Sequence, residues 1–90
     1  MAAIYIVTYQ ATNAATGARV LAELKRVAGW AKLTDTSYAI TSSRTPQQVY
    51  ERFEALLGSE DTLYVFTVRR PYYGQGLSEV NEWLSKHLPT

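Results

Sequence analysis

The chain contains no cysteine, which removes disulfide staples and thiolate metal ligands and leads us to expect a protein of the reducing cytoplasm. Histidine occurs once, as His87; with no second His or carboxylate converging on it, a cap role near the end of a helix is expected rather than acid–base catalysis. Nine Lys and Arg against eight Asp and Glu leave a net charge of +1. Proteins that package DNA or coat RNA are far more basic, so any contact with nucleic acid must come from local clustering. No stretch approaches the length of a membrane span, and the opening MAAIYIVTYQ has neither a basic leader region nor a long apolar run. No membrane partner is expected. A phosphate-cradling loop is also missing, because YYGQGLS puts two glycines before a helix without the spacing of a dinucleotide or P-loop fingerprint.

The chain is rich in apolar and aromatic residues. Of its 90 residues 47% are hydrophobic, among them seven Tyr, two Trp and two Phe, enough for a single core and too few for two. Residues 1–90 therefore read as one domain, with a core over 2–69 and a hinge and helix over 70–90. Residues 3–9 (AIYIVTY) form a β-branched and aromatic strand, and QATNAATG supplies turn and cap formers. GARVLAELKRVA, residues 17–28, spaces Val20, Leu21, Leu24, Val27 and Ala28 as one face of a helix that Gly29 ends. WAKLT and SYAITS flank Asp35 and Thr36 as a hairpin. In TPQQ, Thr45 caps a helix, Pro46 suits its first position and Gln48 completes a capping box. That helix buries Val49, Phe53, Leu56 and Leu57 and stops at Gly58. TLYVFTV, residues 62–68, is the last strand. RRPYYGQG breaks it, and a final helix capped by Ser78 docks through Leu77, Val80, Trp83, Leu84 and Leu88.

The order β-α-β-β-α-β plus a helix predicts an α+β fold of the ferredoxin-like kind, an antiparallel sheet with two helices on one face. Period-two alternation divides each strand between the faces. With Ile4, Ile6, Leu63 and Val65 toward the helices, the other face carries Tyr5, Val7, Tyr9, Tyr64, Phe66 and Val68. So apolar a surface marks an interface. A second copy, stacked RNA bases or the C-terminal helix are the possible covers. Stacking on the pattern of RNA-recognition motifs is disfavoured, because SYAITS lacks the required glycine and second aromatic.

Few side chains suggest chemistry. Glu60 and Asp61 read as turn formers, and Glu79 and Glu82 as helix surface. Arg19, Lys25 and Arg26 on the first helix are diluted by Glu23. Arg44 leaves the third strand and Arg69 and Arg70 leave the fourth, candidate phosphate contacts, expected at different ends of the sheet.

IYIVTYQ, LAELKRVAGWAKLTDTSYAITS, TPQQVYERFEALLGSEDTLYVFTV and GLSEVNEWLSKHL together resemble the SinR-like branch of the small CRISPR-associated adaptation subunit, the Cas-two family, which also takes in virulence-associated D-type toxins. The resemblance spans nearly the whole chain and rests on segment order, the aromatic first strand and the acidic SED before the last. It implies a ferredoxin-like homodimer with its sheet faces together. For active members it implies metal-dependent cleavage of RNA or DNA by an Asp that follows a Tyr at the end of the first strand, one from each protomer near the dimer axis, and for members active in spacer acquisition a structural bridge for a partner integrase. Here the matching pair is Tyr9 and Gln10. A neutral amide offers Mg²⁺ a single carbonyl oxygen in place of a carboxylate. No catalytic residue, metal or cofactor is therefore expected, and the implied function is a scaffold for nucleic acid or for a protein. The alternatives are a metal-dependent endonuclease of the same family, the one case requiring Mg²⁺, and a phage or mobile-element regulator that binds a host protein.

Overall fold

The computed structural model describes residues 2–27 and 29–89. Strand β1 (Ala3–Gln10) is followed by α1 (Ala14–Leu24), the hairpin β2 (Trp30–Thr34) and β3 (Ser37–Ser42), α2 (Pro46–Glu54), β4 (Thr62–Val68) and α3 (Ser78–His87). The sheet order is β2-β3-β1-β4, and every neighbouring pair is antiparallel. Strand β3 is thus inserted between β1 and β2, the two strands joined by α1, and the fold is α+β, ferredoxin-like, with an extra C-terminal helix.

The element ends follow local chemistry. Thr45 accepts from the Gln48 backbone N–H at 3.2 Å while the Gln48 side chain accepts from the Thr45 N–H at 2.9 Å, the reciprocal bonds of a capping box. Four helix ends differ from expectation, one of them that of α2, which closes at Glu54 and leaves Leu56 and Leu57 half-buried in the loop before Gly58. Helix α1 starts earlier, because Asn13 Oδ1 accepts from the Thr16 N–H at 2.8 Å and caps it, and it ends at Leu24 rather than continuing to Ala28, which lies outside the described residues. In α3 the cap position is Leu77, without a side-chain bond, and Ser78 is the first helical residue.

The core lies between the sheet and α1 plus α2. Val20 and Leu24 of α1 and Val49 and Phe53 of α2 pack with Tyr5, Val7, Tyr9, Tyr38, Ile40 and Leu63 of the sheet. This overturns the expected face of β1: Tyr5, Val7 and Tyr9 are 4%, 0% and 8% exposed beneath the helices and take no part in an open surface. The rings of Tyr5 and Tyr9 fill the core while their hydroxyls reach out of it. The Tyr5 hydroxyl donates to the Arg44 carbonyl at 2.6 Å, and the Tyr9 hydroxyl reaches the Asp35 carbonyl at 3.5 Å, giving each ring an apolar bed and a polar outlet.

Register explains the error. Ile4 pairs with Val68, Ile6 with Phe66 and Thr8 with Tyr64, and paired residues share a face. The second face therefore carries Ile4, Ile6 and Thr8 with Tyr64, Phe66 and Val68, joined from β3 by Ala39 and Thr41. Tyr64, Phe66 and Val68 lie on the face that alternation assigns them, whereas β1 is one residue out of phase with it. Helix α3 packs against β2 and bounds a groove with Ile6 and Val68. Ile4 and Ala39 of that face are buried, whereas Tyr64 and Phe66 near its margin stay 60% and 54% exposed.

Candidate functional site

Gln10 ends β1 opposite Thr62. It is exposed and borders a shallow polar depression with Thr8, Tyr9, Thr36 and Thr62. Asp61, next in sequence to the Thr62 that pairs with Gln10, already holds two loops together. Its Oδ1 accepts from the Thr12 N–H at 2.7 Å and the Thr12 hydroxyl at 2.9 Å, and its Oδ2 from the Gly58 N–H at 2.7 Å. These donors, the Gly58 N–H foremost, hold the Asp61 carboxyl below its usual value. Among the described residues no three of His, Cys, Asp and Glu gather in a way that would hold a metal ion. A Mg²⁺ site of the kind the family resemblance implies does not fit this donor set: one neutral amide, threonine hydroxyls, and a carboxylate whose two oxygens are engaged by N–H and O–H donors. Tyr9, for its part, has its phenol pushed up chiefly by burial, with the neighbouring Tyr38 adding to the shift.

The arginines are arranged differently from expectation. Strands β3 and β4 both run antiparallel to β1 and hence parallel to each other; Ser42 pairs with Ala3 and Val68 with Ile4. Arg44, Arg69 and Arg70 therefore emerge at the same end of the sheet, beside the start of β1, and the expectation of separate ends is corrected. Their roles diverge. Arg70 anchors α3: its backbone N–H donates to the Pro89 carbonyl at 2.7 Å, its Nε to the Leu88 carbonyl at 3.0 Å and its Nη2 to the Ser85 carbonyl. The guanidinium thus satisfies carbonyls that a helix C-terminus leaves without partners. Arg44 and Arg69 are exposed, and neither side chain has a protein partner among the described residues.

The remaining cationic and aromatic candidates take structural places. Glu23 bonds Arg52 of α2 at 2.7 Å and lies 3.7 Å from Arg26, so it ties the two helices together. His87 stacks on Trp83 with ring centroids 4.2 Å apart, and its Nδ1–H donates to the Trp83 carbonyl at 2.9 Å.

The two sheet edges are unlike each other. Edge strand β2 is short, carries Lys32, has an irregularity between Lys32 and Thr34, and is overlain by α3, all devices that discourage a further strand from pairing. Edge strand β4, TLYVFTV, has neither a charge nor a proline. Among the described residues its ladder partner is β1, and no other backbone hydrogen bond reaches it. Beside this edge the Tyr64 and Phe66 rings lie 6.1 Å apart at 30°. The open edge follows from strand order, which residue patterning along one chain does not express.

Comparison with protein-family models, with curated proteins and with solved structures finds no match to this chain.

Proposed function

We propose that the protein is a homodimeric binding scaffold, a cytoplasmic member of the SinR-like branch of the Cas-two family, that holds nucleic acid without cleaving it. The observation that carries this reading is the uncharged β4 edge with Tyr64 and Phe66 exposed beside it. A second copy is the occupant it favours, because two identical apolar edges related by a two-fold axis pair antiparallel and continue both sheets as one. In such a pair the rings of the two protomers meet across the junction. Arg44 and Arg69, together at the C-terminal ends of β3 and β4, then form one cationic pair per protomer, and the two-fold axis sets the two pairs at opposite ends of the joined sheet, two separate points for phosphate contact. The absence of cleavage rests on Gln10 and on the engaged Asp61 carboxylate.

Solution mass by size exclusion with light scattering tests the dimer. The wild type runs as a dimer and Phe66→Glu or Tyr64→Glu as a monomer with an unchanged circular dichroism spectrum, since both sites are exposed. A monomeric wild type sinks the reading. The scaffold role is tested by incubating the protein with Mg²⁺ or Mn²⁺ and single-stranded or structured RNA and DNA. Binding without cleavage is expected; cleavage that Gln10→Ala abolishes would establish the endonuclease alternative instead. Association with nucleic acid should weaken in Arg44→Gln and Arg69→Gln and with rising salt.

A further inference from the structure

The C-terminal helix does not close the sheet face it crosses. Not one of its ten residues is fully buried, although Leu77, Val80, Leu84 and Leu88 form a single stripe along it, and only Leu88, its C-cap, is sealed at 7% exposure. Between that stripe and the sheet lies a groove of about 900 Å³, floored by Ile6 and Val68 and roofed by Pro71 and Tyr72 of the exposed segment leading into α3. This volume is within the range of small-molecule sites. The groove follows the helix, which at about 1.5 Å per residue is roughly 15 Å long.

The charges lining the groove do not cancel. Lys32, Asp35 and Arg69 border it. Lys32 Nζ and Asp35 Oδ1 are 3.0 Å apart and neutralise each other, leaving the Arg69 guanidinium as the cation without a counter-charge among the described residues. Arg70, meanwhile, clasps the carbonyls of Ser85 and Leu88 and so holds the last turn of α3 in place, while α3 meets the sheet at β2 and leaves the groove open toward Ile6 and Val68. A long apolar channel with one uncompensated guanidinium matches a molecule with a long apolar body and one anionic head.

We propose that this groove binds a single-chain fatty carboxylate, its alkyl chain lying between α3 and Ile6 and Val68 and its carboxylate meeting Arg69. The groove lies within one protomer, so it stands or falls separately from the β4 dimer.

Dodecanoate, kept below its micelle concentration, is titrated against protein preloaded with anilinonaphthalene sulfonate, and displacement is read by fluorescence. Dodecanoate displaces the dye from the wild type. Arg69→Gln weakens dodecanoate about tenfold, the worth of one charge-assisted contact, without changing the affinity for uncharged dodecanol. Val80→Trp, which fills the groove, abolishes both; Leu77→Trp, at a position 69% exposed, serves the same purpose should Val80→Trp not fold. Tyr64→Glu, on the same face outside the groove, leaves binding unchanged. The proposal is overturned if dodecanoate fails to displace the dye, if Arg69→Gln and the tryptophan variants bind it like the wild type, or if Tyr64→Glu is the change that removes binding.

Discussion

Asp61 and Thr12 are joined by two hydrogen bonds to one carboxylate oxygen, from the Thr12 N–H at 2.7 Å and from its hydroxyl at 2.9 Å. Through them the loop that leaves β1 is tied to the loop that enters β4, beside Gln10. The carboxylate is a clamp between two loops, and its chemistry gives a pH signature.

Because its donors favour the charged form, the folded carboxyl of Asp61 lies below its ordinary value of 3.8. The stabilisation it contributes is complete above the unfolded value and is lost as pH falls through the folded one. Urea midpoints of the wild type should therefore fall on acidification below about pH 4, and Asp61→Asn, less stable at neutral pH, should show less of that fall. Parallel curves would remove the clamp from the account.

Tyr5 separates the two possible phases of β1. Tyr5→Phe keeps the buried ring and removes the donor to the Arg44 carbonyl, a loss of about 1 kcal/mol in chemical denaturation. Tyr5→Glu places a charge in the core among Val20, Ile40 and Phe53 and should abolish cooperative unfolding. Phe66→Glu should shift monomer stability by no more than about 0.5 kcal/mol. If Tyr5→Glu were tolerated and Phe66→Glu were not, the faces assigned to these residues would be reversed.

Removing the guanidinium of Arg70 should release α3 without unfolding the domain. In Arg70→Ala, amide hydrogens of residues 78–88 should exchange faster while those of β1 and β3 keep their protection. Arg69→Ala is the control that should leave α3 unaffected. Equal exchange in both variants would show that Val80, Leu84 and Leu88 alone hold the helix.

Thr45→Ala removes one half of the capping box. Stability should drop by about 1 kcal/mol, measurable as a lower thermal midpoint. Thr45→Ser, which keeps the acceptor, should restore most of it.

The readable parts of this chain were those decided by neighbours in sequence. The capping box at Thr45 and Gln48, the turn at Asp35 and Thr36, and the ends of β2, β3 and β4 depend on side chains and backbone a few residues apart, and the strand and helix order that follows defines the fold class. The docking stripe of α3 was equally visible as a repeat at helical spacing. Strand β1 was different. Both of its faces are apolar, Ile4 and Ile6 on one and Tyr5, Val7 and Tyr9 on the other, so alternation has no polar phase to say which way is out. Only pairing with β4, Ile6 against Phe66, decides that the tyrosines go under the helices. The same holds for the arginines: that Arg44 meets Arg69 and Arg70 at one end, and that Arg70 is spent on Ser85 and Leu88, depends on strand direction and on where α3 comes to rest. Composition and local spacing determined what the elements are; register, strand order and the docking of α3, all contacts between residues distant in sequence, decided which surfaces they leave open.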